Sequence, residues 1–353
     1  MRNNQDRLGS PPNASDPPPS VMQNATPDAA PMEFVSPTEF VELPSLGLLY
    51  PEGHPLHKVE NVELRYMTAK EEDILTSKTL LKQGVAIDRL LSNLIVDRRI
   101  QVDSLLVGDR NALLVAARIS GYGPEYNAGV TCPACGSNQE INFNLEEGRN
   151  IGFAANEQIL LDEEVTYDPQ SFLFSVTLPK TKAVVQFKAV TGAAEKKMLL
   201  VAEKKKKNKL PESLVTSQFK SFVVSVNGET NKSAVNSFID SMPVLDSRLL
   251  RSKYNNVMPN LDLKHEFACS MCGHEQDMEV PFTTEFFGLN DEYIESVYEQ
   301  FFLLKYHGGW SFIEAYNLPI GLRRWFIKRL VEQFEKEKEQ MEEAHRSSRN
   351  RSR

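Results

Sequence analysis

The residues best suited to chemistry in this chain of 353 residues are its four cysteines. They come as two pairs, Cys132 with Cys135 and Cys269 with Cys272, each separated by two residues and followed directly by a glycine. A structural zinc ion takes four ligands in a tetrahedron; each Cys-x-x-Cys turn supplies two thiolates, and the glycine lets the chain turn back beneath the metal. The rival is a redox dithiol, because "CPAC" alone looks like a thioredoxin-type active site. That chemistry sets its cysteines at a helix N-terminus, which lowers a thiol pKa. Here the residues after each pair, "GSNQEINF" and "GHEQDMEV", alternate like a strand, and the second pair, "CSMC", has no proline. The pattern favours one structural zinc held jointly by Cys132, Cys135, Cys269 and Cys272, with two separate sites or a redox role as the alternatives. His274 is a further candidate ligand, although a solvent-facing place suits it better.

Why two half-sites stand so far apart is answered by the segments that carry them. Adding 137 to a residue number takes Asp103 to Asp240, Ser104 to Ser241, Val107 to Val244, Asp109 to Asp246 and Leu113 to Leu250. The same step, with no gap, takes Cys132 to Cys269, Cys135 to Cys272, Gly136 to Gly273 and Gln139 to Gln276. That is an internal duplication, with an insertion around Lys204–Pro211 lengthening the second copy. In the first copy Val62–Tyr66 reads as a strand, and Thr68 with Glu71 forms a capping box opening a helix that Gly84 closes. A second helix carries Ile87, Leu90, Leu91, Leu94 and Ile95 on one face. A third runs from about Asp109 to the Gly121–Gly123 turn, and the strands "EYNAGVT" and "QEINF" flank the knuckle. The second copy repeats the order: strand Ala183–Val190, a helix capped by Thr191, and another opened by Ser233.

The expected fold is therefore α+β, a duplicated unit of strand, helices and zinc knuckle with a C-terminal helical segment. Its divisions are a tail (1–31), an extended arm (32–61), the first unit (62–146), a connector (147–182), the second unit (183–283), a helical C-terminal unit (284–345) and a basic tail (346–353). The first division is rich in Pro, Ser and Asn and too poor in large apolar groups to offset the entropy of ordering. The last unit opens with a helix capped by Asn290 and stopped at Gly308 and Gly309, and its final helix starts near Pro319.

A formal net charge of −8 argues against a general nucleic-acid coat. No run reaches the length of a membrane helix, and the N-terminus lacks the apolar core of a signal peptide, so no membrane partner is expected. Gly-rich phosphate loop, nucleophile elbow and zinc-protease histidine pair are all missing, so neither an enzyme nor a small-molecule substrate is indicated. His54 and His57 flank Pro55 and read as loop histidines without partners. Lys204–Lys209 reads as a solvated helix end. Two apolar surfaces need cover: the arm, with Phe40, Leu48 and Tyr50 among prolines that forbid a continuous helix, and the C-terminal aromatics around Trp310, Trp325 and Phe326. Both are candidate partner-binding surfaces.

The stretches "LPSLGLLYPEGHPL", "ELRYMTAKEEDILTSKTLLKQG", "LLVGDRNALLVAARISGYG" and "CPACG" together resemble the T4-type phage baseplate hub subunit and assembly protein family, as does the ending "YHGGWSFIEAYNLPIGLRRWFIKRL". The resemblance implies a non-enzymatic structural or assembly protein of a contractile tail, with other baseplate hub or tail proteins as partners. It places the protein in the virion tail baseplate, or in the host cytoplasm during assembly. The alternative is a zinc-ribbon nucleic-acid-binding regulator, for which the acidic balance is unsuited.

Overall fold

A computed structural model describes residues 37–151, 164–207, 214–280, 284–287 and 293–351. The expected tail 1–31, the first residues of the arm, Asn290 and part of the lysine run lie outside the described residues. The architecture is α+β, with four two-stranded antiparallel sheets and one of four strands among the described residues.

The first copy opens with β1 (Thr38–Glu42) paired antiparallel to β2 (Asn61–Arg65), Thr38 opposite Arg65. The segment between them, expected as an extended arm in need of a surface, lies on this protein's own core. Leu43, Tyr50 and Leu56 are buried in the main core, so this protein's own surface covers them. The turn needs Gly47: its φ is 71°, and a Cβ there would stand 2.3 Å from the Val59 nitrogen.

After β2, the Thr68 and Glu71 capping box opens α1 (Ala69–Thr76) as expected. That helix does not run on to Gly84. Ser77 is extended and caps a separate α2 (Lys78–Lys82), and α3 (Ala86–Leu94) follows with Leu90, Leu91 and Leu94 buried. Next come α4 (Val107–Tyr122), ended by Gly123 at φ 88°, and the hairpin β3 (Glu125–Thr131) and β4 (Asn138–Asn144), with the first knuckle at its tip.

The segment expected as a connector carries strands of its own: β5 (Arg149–Ile151), β6 (Val165–Asp168) and β7 (Leu173–Thr177). β6 and β7 join β8 (Val184–Phe187) in the four-stranded sheet. Then follow α5 (Gly192–Lys207), α6 (Leu214–Phe222), β9 (Val223–Val226) at the edge of that sheet, α7 (Lys232–Ser241) and α8 (Val244–Val257). Asn231, not Ser233, caps α7 by accepting the Ser233 N–H. β10 (Asn260–Asp262) leads into the hairpin β11 (Lys264–Ala268) and β12 (Glu275–Glu279), which carries the second knuckle.

The two copies share a device that positions the helix before each knuckle. Asp109 on α4 is fully buried and accepts hydrogen bonds from the Ser45 N–H (2.9 Å), the Ser45 hydroxyl (2.6 Å) and the Tyr50 hydroxyl (2.7 Å). Asp246 on α8 is also buried and accepts the backbone N–H groups of Lys180 (2.8 Å) and Thr181 (3.0 Å). Ser45 follows Leu43-Pro44, and Lys180 follows Leu178-Pro179, so each aspartate reads the same Leu-Pro turn between two strands. The duplication therefore includes the hairpin ahead of the helices. Burial raises the Asp109 pKa against three donors that lower it. For Asp246 burial also raises it, but the N–H groups of Lys180 and Thr181 prevail and the net shift is downward.

One core runs through both copies. β5 of the first pairs with β10 of the second, Asn111 meets Asn260 at 3.3 Å, and Arg110 binds Glu195 at 2.8 Å. Gly108 lies so close to the second copy that a Cβ would fall 1.9 Å from the Pro259 carbonyl oxygen. The C-terminal helices, α9 (Tyr293–Gly308), α10 (Phe312–Asn317) and α11 (Ile320–Arg351), form a smaller apolar cluster against Ala69 of α1. α11 continues through most of the segment expected as a basic tail. A fully buried ion pair fixes this unit: one Arg323 nitrogen lies 2.7 Å and 2.8 Å from the two Glu72 oxygens, and Arg323 Nε donates to Gln300 at 2.9 Å.

Asp109→Ala leaves three donors facing a buried void, at about 1–3 kcal/mol for each unsatisfied group. Denaturant titration should read a total loss on the order of 3–5 kcal/mol. Asp246→Ala should lose less, and the Asp246 contribution should fade as pH falls below the unfolded carboxyl value of about 3.9. A loss under about 1 kcal/mol at Asp109 would contradict its role in locking the turn.

Candidate metal centre

Each knuckle is the tip of a two-stranded hairpin folded by its own short-range bonds. The Gly136 N–H donates to the Cys132 carbonyl (2.8 Å), and the Cys132 N–H to the Ser137 carbonyl (2.8 Å). The same bonds recur in the second knuckle, from Gly273 to Cys269 and from Cys269 to His274, each at 2.9 Å. Both glycines have positive φ, 73° and 69°, the left-handed turn that a side chain disfavours. Each turn thus presents two sulfurs to one side, one buried (Cys132, Cys269) and one exposed (Cys135, Cys272).

The two tips meet. The four sulfurs all lie within 4.8 Å of one another, with Cys132 and Cys272 at 3.8 Å and Cys135 and Cys269 at 3.7 Å. A disulfide requires about 2.05 Å, so neither pair is one. A metal bonded to four sulfurs at about 2.3 Å defines a tetrahedron with edges of about 3.8 Å, which these two separations match. The residues present therefore fit a metal ion, and the sulfurs of both copies converge on one position.

Electrostatics agree with the donor set. Hydrogen bonding from Ser137 leads in lowering Cys135, and likewise brings Cys269 down to about 5. The His274 backbone N–H lowers the Cys272 thiol, but Cys269, burial, Cys135 and Cys132 together push it up to about 12. Four crowded thiols cannot all ionise against one another, and a divalent cation at their centre removes that conflict. Gln139 joins the copies beside the sulfurs: its Nε2 donates to Cys269 Sγ at 2.9 Å, and its Oε1 accepts from the Ser270 N–H and hydroxyl at 3.1 Å. The repeat pairs Gln139 with Gln276, but the bridging role was not evident from spacing. Gln276 instead lies 3.4 Å from the His274 ring.

His274 is not one of the converging ligands; its carbonyl closes the knuckle and its ring turns to Gln276. His54 and His57, expected as loop histidines without partners, both have them. His54 stacks on Tyr50 at 4.5 Å and bonds Ser104 at 2.9 Å, and His57 reaches the Tyr50 carbonyl at 2.7 Å. Both brace the turn read by Asp109.

The expected partner-binding residues divide. Tyr50 is 2% exposed and serves the core, because its hydroxyl both donates to Asp109 and accepts the Leu106 N–H. Phe40 and Leu48 are exposed. Trp310 and Phe326 are half-buried with ring centres 4.8 Å apart, and they pack on the small C-terminal cluster. Trp325 is 57% exposed. Tyr298, Phe302 and Tyr306 stand exposed at intervals of four on α9, one face of the helix.

Residues 39–164 match the model of a family described as T4 bacteriophage base plate protein. The matched stretch runs from within β1 through β5, includes the first knuckle and ends before the second copy's Cys269 and Cys272, and it bears out the resemblance to T4-type baseplate proteins carried by the sequence. Comparison with curated proteins and with solved structures gives no significant match.

Because the copies share a core, a paired strand and an ion pair besides the sulfurs, Cys272→Ser should loosen the hairpin tips without separating the copies. Limited proteolysis should then cut near residues 132–137 and 269–274 first, with the rest protected. Metal retention should be full at neutral pH and fall as acid returns protons to the thiolates. An unchanged proteolytic pattern in the mutant would contradict a metal joining the tips.

Proposed function

We propose that this protein is a non-enzymatic structural or assembly component of the baseplate hub of a contractile phage tail, with one zinc ion joining the hairpin tips of its two copies. The family match over residues 39–164 carries this reading. Four cysteine sulfurs within 4.8 Å of one another favour zinc, which needs no open coordination position for a structural role. Binding of such an ion contributes to folding, by about 10–16 kcal/mol in small zinc peptides at neutral pH. Here it makes rigid a point where two β-hairpins would otherwise end in solvent.

The partners are other hub or tail proteins, met in the virion baseplate or in the host cytoplasm during assembly. Support comes from the C-terminal unit, which turns Trp325 and the Tyr298, Phe302 and Tyr306 face outward. Aromatics in such a patch are the residues that most often anchor protein interfaces. A nucleic-acid regulator would need a basic stripe, and the acidic total of −8 supports none.

Mass spectrometry of purified virions and of partially assembled tails tests the assignment. The chain should be found in hub-containing assemblies, in the virion, the intermediate or both. Absence from all tail fractions, with recovery on phage DNA, would overturn it. Trp325→Ala should reduce complex yield about tenfold, the effect of about 1.4 kcal/mol, while leaving the melting temperature of the free chain within about 2 °C. Normal assembly of the folded mutant would remove Trp325 from the interface.

A further inference from the structure

Three helices in this chain begin alike, and two of the beginnings are seated on the same kind of support. α4 opens at Leu105-Leu106-Val107-Gly108, α8 at Met242-Pro243-Val244-Leu245 and α11 at Leu318-Pro319-Ile320-Gly321. The supports are the points where a strand ends and a threonine-capped helix begins, at Met67-Thr68 in the first copy and Val190-Thr191 in the second. The Val107 N–H of α4 donates to the Val190 carbonyl at 3.0 Å, while the Gly192 N–H returns a bond to the Leu105 carbonyl at 2.8 Å. The Ile320 N–H of α11 donates to the Met67 carbonyl at 2.9 Å, with both side chains fully buried. Each contact joins the first free N–H of a helix to a carbonyl on the short link between a strand and the next helix, and it covers Ile320 fully and Val107 in part.

Among the described residues there are three helix beginnings of this kind and two supports. α4 takes the second copy's support, α11 takes the first copy's, and α8 is left over. Val244 is 72% exposed, whereas its counterparts in the seated helices are half-buried (Val107) and fully buried (Ile320); Leu245, beside Val244, is 52% exposed. Among the described residues no carbonyl accepts the Val244 N–H, and Pro243 supplies no side-chain cap. Because contacts of this type run head to tail between non-identical surfaces, the series need not close within one chain.

We propose that the exposed start of α8 is a docking surface for the strand-to-helix junction of a different tail protein, which seats Val244 as Val190-Thr191 seats Val107. A second copy of this chain is the poorer occupant, since both its supports are filled from within and one is held by the buried Glu72–Arg323 pair. The partner is defined by chemistry: a strand end with a free carbonyl, an apolar residue and then a helix-capping hydroxyl. This inference rests on the baseplate reading.

The test places the photo-crosslinking residue p-benzoylphenylalanine at 244 in the full chain, within tail assemblies from infected cells, with the same probe at 325 as a second site. The expected product joins 244 to a strand-end and helix-start peptide of another tail protein, mapped by mass spectrometry. A crosslink to a second copy, to residues 1–36 of the same chain, or to a loop or helix flank of a partner overturns the proposal. So does a crosslink from 325 with none from 244, an outcome that leaves the baseplate assignment standing. Absence of the chain from every assembly overturns both. A second variant, Val244→Lys with Leu245→Lys, should leave melting of the free chain unchanged and lower incorporation about tenfold or more, through charges forced into an apolar contact. Full incorporation of that variant also overturns the proposal.

Discussion

Four sulfur atoms within 4.8 Å of one another set the arrangement that the rest of the molecule has to satisfy. They come from turns in different copies of the repeat, and neither turn alone completes a tetrahedron. Everything between must fold so that two hairpin tips meet with sulfur separations of 3.7 Å and 3.8 Å, a tolerance far narrower than apolar packing alone demands. Shared burial of the helices before each hairpin provides the coarse alignment. Pairing of β5 with β10 and the Gln139 bridge to Cys269 and Ser270 provide the fine one.

The duplication explains how such precision arises from repeated parts. In each copy a buried aspartate on the helix before the knuckle accepts N–H groups from a Leu-Pro turn, so the hairpin ahead of the helices and the hairpin behind them are referred to one carboxylate. The copies have since diverged. Between β1 and β2 the first has a long turn packed with Tyr50, His54 and Leu56, and the second passes directly from Leu178-Pro179 to β8. Asp109 therefore receives two hydroxyls as well as an N–H, and Asp246 receives the backbone N–H groups of Lys180 and Thr181.

Legibility in the sequence followed the range of the interactions. The cysteines, their glycines and the aspartates were readable because one offset holds them all, and the Thr68 capping box was readable because its partners are close neighbours in the chain. The Leu-Pro turns have no such signature, because Leu43-Pro44 and Leu178-Pro179 fall out of step with that offset, and short strands hide in an apparent connector. Tyr50 looked like an anchor for a partner because an aromatic among prolines does not disclose a carboxylate 59 positions away. The pairing of Glu72 with Arg323, 251 positions apart, has no local signature at all, although it fixes the C-terminal helices to α1.

In the proposed arrangement one metal ion, bound by sulfur from both copies, joins the hairpin tips. X-ray absorption at the zinc edge of the purified, reduced full-length chain, combined with metal analysis of the same sample, measures this directly. One zinc per chain with four sulfur neighbours at about 2.3 Å and no nitrogen or oxygen in the first sphere is the predicted result. Two zinc ions per chain, or a single ion with only two sulfur neighbours, would contradict it.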